Sequence, residues 1–266
     1  MLSTSQREEF EQQGVLRLPG AFPRAAAEAM EARVWRWLEK KYGTRRDDPT
    51  TWTIAQPYTM QGLKREAVFD AIGSETTWSA LDALLGKGAW TPPRDWGQFL
   101  VNFPSGGSWA LPSRIWHTDF AYGGPIDHAH GALVLSFLSE VPAGAGGTLV
   151  VAGSPRLIRK FVGRRPQAGR EKMKRTREAF LRSDPWLVAL SSETPGFDRV
   201  ECLMSKTTVI DGIPVRVEEL CGEAGDVVIG HSWLLHASGP NCGARPRIMR
   251  VQRVRLAGGK AQAAEE

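Results

Sequence analysis

The sequence predicts a mainly β fold, a barrel or sandwich core that carries helices at its N-terminal end. Two observations predict it. Helical periodicity dominates the first part of the chain, whereas after Trp96 short β-rich runs are separated by glycine and proline. Helices followed by many short strands is the order of one β core with a helical support, not of alternating β-α-β units. The length of 266 residues suits one such domain. The expected boundaries are 1–256 for the domain, with 1–95 as helical support and 96–256 as core. The last ten residues, 257–266, "AGGKAQAAEE", read as a flexible tail.

The elements follow in order. Ser5-Gln6-Arg7-Glu8 has the spacing of a capping box, and Gly14 can end the short helix it starts. "VLRLPG" reads as a short strand and turn. Pro23 suits the first turn of a long helix whose Met30, Val34, Trp37 and Leu38 share one face, with Gly43 as its stop. "GTRRDDPTT" is a polar loop. A second helix starts near Ser74, with Trp78, Leu81, Leu84 and Leu85 on one face and Gly86 at its end. "GQFLVNF", "GALVLSFLSEV", "GTLVVAG", "TTVIDGIPVRVEEL", "GDVVIGHSWLLHAS" and "RIMRVQRVRL" are the strands. A basic insert, 156–182, interrupts them, and Met173, Thr176 and Phe180 give it an amphipathic helix.

Composition narrows the class. No apolar run approaches the ~20 residues of a membrane span, and the polar start "MLSTSQREEFEQQG" lacks the apolar core of a secretory signal. Cys202, Cys221 and Cys242 are odd in number and lack CxxC spacing. They read as free thiols, so a cytoplasmic location is expected. The net charge of +5 allows an anionic partner. Nucleic acid is not expected, because Phe161 and Phe180 are too few to make the basic insert a stacking surface. A solvated helix face is the plain reading of that insert; a mouth attracting an anionic small molecule is the functional one. The oligomeric state is not readable.

Chemistry concentrates in "SRIWHTDFAYGGP". On a strand, residues two apart face the same way, so His117 and Asp119 can present an imidazole and a carboxylate side by side. That is two thirds of the 2-His-1-carboxylate triad that holds iron(II) and leaves positions open. A third ligand must come from His128, His130, His231 or His236. His128 and His130 lie in a loop near the site entrance. His231 and His236 are five apart, so on a continuous strand only one of them faces the metal.

The stretch "LLHASGPNCGARPRIMRV" resembles the C-terminal signature of the phytanoyl-CoA dioxygenase family, iron(II)- and 2-oxoglutarate-dependent oxygenases on a double-stranded β-helix, a cupin-like jelly roll. "WHTDF" resembles the family's first ligand pair, "GGTLVVAGSPRL" its Gly-x-Leu segment without the following Pro and His, and "FEQQGVLRLPGAFP" its opening. The resemblance implies His117, Asp119 and His236 as the iron ligands and catalytic centre. It implies Arg247 and Ser238 as holders of the distal carboxylate of 2-oxoglutarate, with Arg245 as rival anchor. Asn102 matches a position that donates to 2-oxoglutarate. Gln98 shares its strand face and is a candidate substrate contact, as are Tyr122 and Trp233, for which core packing is the alternative. A planar guanidinium suits a carboxylate fork. Asp119 argues against halogenation, because it fills the position a halide would need. The implied activity uses dioxygen and 2-oxoglutarate to hydroxylate an unactivated C–H bond of a small molecule, releasing succinate and carbon dioxide. Desaturation on the same centre, and a non-catalytic metal- or small-molecule-binding jelly roll, are the alternatives.

Overall fold

A computed structural model describes residues 2–57, 60–123, 129–165 and 167–257. Its helices are α1 (Thr4–Gln13), α2 (Arg24–Tyr42), α3 (Glu75–Leu85), α4 (Ser154–Gly163), α5 (Met173–Leu181) and α6 (Pro185–Ser191). Its strands are β1 (Val15–Leu18), β2 (Gln98–Asn102), β3 (Gly131–Phe137), β4 (Thr148–Ala152), β5 (Thr208–Ile210), β6 (Ile213–Leu220), β7 (Val227–His231), β8 (His236–Ser238) and β9 (Arg247–Arg255). They form a five-stranded sheet, β1-β7-β3-β9-β2, and a four-stranded sheet, β5-β6-β4-β8. Every pairing between these strands is antiparallel. This is the expected jelly-roll class with N-terminal helices.

The strand pattern explains the layering. Alternate residues point to opposite faces, and both faces of each sheet are covered. Leu135, Phe137, Val228 and Met249 of the larger sheet meet Val150 and Leu220 of the smaller one in the core between them. On its other face the larger sheet packs Val134, Ile229 and Ile248 against Met30, Val34 and Leu38 of α2 and Leu81 of α3. The smaller sheet packs Leu149, Val151 and Val217 against Leu157 and Ile158 of α4, Phe180 of α5 and Leu187 of α6. Hence all of β4 is buried. Truncating a leucine in such a layer to alanine costs about 2–5 kcal/mol.

Several local expectations change. The capping box is Ser3 with Gln6: Gln6 N donates to Ser3 Oγ at 3.2 Å and Ser3 N donates to Gln6 Oε1 at 2.9 Å. Because α1 begins at Thr4, Ser5 already lies inside the first turn. Gly14 ends α1 in the left-handed region, as expected. In α2 the buried tryptophan is Trp35, one residue after Val34, while Trp37 is half-buried and meets Tyr42 edge-on. The expected amphipathic helix of the basic insert is α5, with Thr176 and Phe180 as its buried stripe; α4 lies at the start of the insert and α6 just beyond its end, and all three cover the smaller sheet. The proposed tail, 257–266, lies outside the described residues apart from Ala257. Among the described residues no helix is long and apolar enough to cross a membrane.

Candidate metal centre

His231 and His236 do not share a continuous strand. β7 ends at His231 in the larger sheet and β8 begins at His236 in the smaller one. The chain crosses between sheets over Ser232 to Leu235, so topology separates the two histidines, not alternation alone. His231 is buried, and its Nδ1 accepts the Trp233 N–H at 3.0 Å. Burial, with Arg159 and His130 nearby, depresses its pKa to about 3 and keeps it neutral. His128 lies outside the described residues. His130 N donates to Ser232 Oγ at 3.1 Å, and its ring meets Trp233 edge-on.

His117 and Asp119 do not lie in a regular strand. His117 forms an isolated antiparallel bridge with His236, N to O at 2.9 Å in both directions. That single bridge brings the two rings to 4.3 Å between centroids. Ile115 precedes it with φ of 65°, a left-handed conformation costly for a β-branched residue. Its carbonyl accepts from His117 Nδ1 at 2.7 Å, and the Leu234 carbonyl accepts from His236 Nδ1 at 2.9 Å. A carbonyl can only accept, so each Nδ1 carries a proton, and in the neutral ring Nε2 is the atom left with a lone pair. Both rings therefore offer Nε2 toward Asp119, whose Oδ1 is 3.9 Å from His117 Nε2 and whose Oδ2 is 3.7 Å from His236 Nε2. One donor atom from each of the three lies within 4.8 Å of the others.

The protonation states suit a cation. Burial, with His117 close by, lowers the His236 pKa to about 4, so it is neutral near pH 7. Burial alone raises the Asp119 carboxyl, but His236, Arg253 and His117 outweigh it and hold Asp119 below its usual value. Two neutral imidazoles and one carboxylate are the donor set that suits iron(II).

Arg247, the first residue of β9, is 3% exposed. Its Nη1 donates to the Gly146 carbonyl, while its Nε is buried without a partner. Burial lowers its pKa to about 10, opposed by Glu219, so it remains charged. A buried cation is costly unless an anion meets it. The rival Arg245 is exposed. Asn102 pairs with Arg247 across β2 and β9 and donates Nδ2 to the Gly239 carbonyl at 3.2 Å. Asn241 in turn donates to the Asn102 carbonyl at 2.8 Å, tying the Gly-Pro-Asn segment to β2.

The candidate substrate residues divide. Gln98 is exposed at the far end of β2 from Asn102. Tyr122 and Trp233 are 2% and 1% exposed and belong to the core under the smaller sheet. Thr118 Oγ1 donates to the Tyr122 hydroxyl and Trp233 Nε1 donates to the Ala121 carbonyl. Both are packing residues here, because each polar tip is already satisfied inside the protein. Trp116 and Phe120, which flank the pair, are both buried.

Open space adjoins His117 instead. A cavity of about 560 Å³ is lined by residues that include Ile115, Trp116 and His117, Arg114 and Arg177 with the carboxylate of Glu178 beside them, and Ser238 of β8. Two further residues escape sequence reading. Arg253 donates Nη2 to Asp119 Oδ1 at 2.6 Å. Its signal was parity: it stands six residues after Arg247 on one strand, hence on the same inward face. Ile115 carried no signal, because its left-handed backbone is a consequence of the bridge it precedes.

The chain matches the profile of the phytanoyl-CoA dioxygenase (PhyH) family over residues 10–249. It belongs to that family. The family's enzymes depend on iron(II) and 2-oxoglutarate, and His117, Asp119 and His236 could bind the metal. Solved structures share the fold at low identity. The non-heme alpha-ketoglutarate-dependent carbocyclase SnoK from nogalamycin biosynthesis is 18% identical, with 96% of this chain and 84% of that chain covered and a TM-score of 0.57. The epimerase SnoN, in complex with Fe3+, alpha-ketoglutarate and nogalamycin RO, is 16% identical over 94% and 82%, with a TM-score of 0.56. HygX from Streptomyces hygroscopicus, with nickel and 2-oxoglutarate bound, is 13% identical over 97% and 88%, with a TM-score of 0.54. A sequence comparison with curated proteins finds no match.

Proposed function

We propose that this PhyH-family chain hydroxylates an unactivated C–H bond of a small molecule. The balance is R–H, dioxygen and 2-oxoglutarate giving R–OH, succinate and carbon dioxide. Bound iron(II) supplies the dioxygen activation; the chain supplies ligands, orientation and a dry pocket. His117, Asp119 and His236 are the proposed ligands, leaving one face of the ion open. Arg247 and Ser238 hold the distal carboxylate of 2-oxoglutarate, and Asn102 braces the strand and loop beside them. The observation that carries this reading is the pairing of the two-histidine, one-carboxylate cluster with the buried guanidinium of Arg247, which forms no ion pair among the described residues. A bare metal-binding module has no use for that second feature.

The substrate enters through the cavity beside His117. Arg114 and Arg177 line it, two guanidiniums against the single carboxylate of Glu178, next to the apolar Ile115 and Leu181. This favours a small molecule with an anionic group and an apolar body. The test is succinate release by protein supplied with iron(II), ascorbate and 2-oxoglutarate. Wild type forms succinate, slowly without substrate, and Asp119→Ala does not. Equal yields from the two proteins would refute the reading. Candidate substrates offered as carboxylate and methyl-ester pairs then test the anionic preference, with faster succinate release expected for the carboxylate.

A further inference from the structure

Among the described residues, the cation that touches the triad is Arg253, through Nη2 to Asp119 Oδ1. It stands on β9, which pairs β3 at Leu133, so it approaches the carboxylate from a backbone paired within the larger sheet. Asp119 is nearly buried, with a side chain 7% exposed, whereas that of Arg253 is 36% exposed. The two oxygens of Asp119 are thereby made unequal. Oδ1 is engaged by a charge-assisted hydrogen bond of the short, strong kind. Oδ2 faces His236 Nε2 at 3.7 Å and accepts no hydrogen bond among the described residues.

We propose that Arg253 is a positioning residue of the metal centre: by occupying Oδ1 it confines Asp119 to ligation through Oδ2 and so keeps a coordination position open for dioxygen. The inference rests on His117, Asp119 and His236 being the metal ligands. The count behind it is short. Three protein atoms on an octahedral ion leave three positions. The keto-acid end of 2-oxoglutarate takes two, and one remains. A carboxylate ligating through both oxygens would take that last position or compete with 2-oxoglutarate. Arg253 prevents this by holding one oxygen and by repelling a dication from that side. The arrangement therefore exchanges metal affinity for open coordination.

This sign separates the proposal from a plain structural role. Losing a mere support loosens a metal site, whereas losing Arg253 should tighten it. The experiment titrates cobalt(II) into metal-free wild type, Arg253→Met, Arg253→Lys, Asp119→Ala and His236→Ala, reading the ligand-field absorption. The cobalt proteins are then titrated with 2-oxoglutarate. Arg253→Met is expected to bind cobalt about threefold or more tightly, with a changed spectrum, because the charge repulsion is gone. It should also need more 2-oxoglutarate, because a carboxylate free to ligate through both oxygens competes for a position the keto acid requires. Arg253→Lys, which keeps the charge, should match wild type in both titrations. Arg253→Gln serves the same comparison should the methionine variant unfold. Unchanged or weaker cobalt binding in Arg253→Met, or a lysine variant that behaves like it, overturns the proposal. Cobalt binding that survives in both Asp119→Ala and His236→Ala instead overturns the ligand assignment itself.

Discussion

His117 and His236 are paired through both of their backbone hydrogen bonds, each 2.9 Å. The two imidazoles are thus set by the main chain before any metal arrives, and each ring is fixed a second time through Nδ1. Preorganisation of this kind lowers the cost of assembling a site. His117→Ala and Asp119→Ala should each lose stoichiometric iron(II) or cobalt(II) binding while keeping the fold. Isothermal titration with cobalt(II), beside a thermal melt, checks this. A variant that still binds one equivalent at wild-type affinity removes its residue from the ligand set.

Arg247 should show opposite effects on stability and binding. Its buried charge forms no ion pair among the described residues, so Arg247→Met is expected to raise the stability of the metal-free protein by about 1–3 kcal/mol. The same change should weaken 2-oxoglutarate by on the order of 2–3 kcal/mol, a loss of roughly 30-fold or more. Arg245→Ala, at an exposed position, should do neither. Denaturant unfolding and anaerobic titration of the iron–2-oxoglutarate absorption band give the two readouts. Equal affinities in the two variants would move the anchor elsewhere.

Ile115 combines a left-handed backbone with a side chain 60% exposed beside the cavity. A β-branched residue there is strained by about 1–2 kcal/mol. Glycine relieves that strain but adds freedom to the unfolded chain. Ile115→Gly is therefore expected to gain less than about 1 kcal/mol in stability. It should bind metal several-fold more weakly, because the carbonyl that orients His117 is no longer held. A thermal melt and the cobalt titration measure both. A variant less stable than wild type would show that Ile115 is not strained in solution.

His231 makes an acid-sensitive point far from the triad's chemistry. Its neutral form is favoured in the fold, with a pKa near 3 against 6.5 for an unperturbed histidine. A depressed folded pKa gives stability that is complete above pH 6.5 and is lost as pH falls toward 3, at about 1.4 kcal/mol per unit. Protonation also removes the acceptor for the Trp233 N–H. Asparagine can accept the same bond without titrating, so His231→Asn should flatten the fall in melting temperature between pH 7 and 4.5. An unchanged slope would place the acid sensitivity in other groups.

Much of the fold was legible because it depends on local pattern. The strand runs, the helix stripes of α2 and α3, and the glycine stops at Gly14, Gly43 and Gly86 follow from periodicity and backbone freedom. Trp37 does pack against the core, but the more deeply buried Trp35 and the capping Ser3 escape the pattern, one or two residues from candidates that look alike. Of the helices between β4 and β5 the sequence reading finds only α5, because the apolar residues of α4 and α6, Leu157, Ile158 and Leu187, have meaning only against a sheet the local sequence does not contain.

The sequence by itself determined the chemical inventory: His-x-Asp, the later histidine, and an arginine at a spacing the family shares. It also determined Asp119, which argues against a halide site. Only the tertiary structure decided how these residues meet. It placed His231 and His236 in different sheets, joined His117 to His236 by one bridge, brought Arg253 onto Asp119, and turned Tyr122 and Trp233 into the core. The physical reason is that spacing along a chain sets which face of its own element a residue occupies. Contacts between elements depend on register and crossover, and those are set by burying all the faces at once.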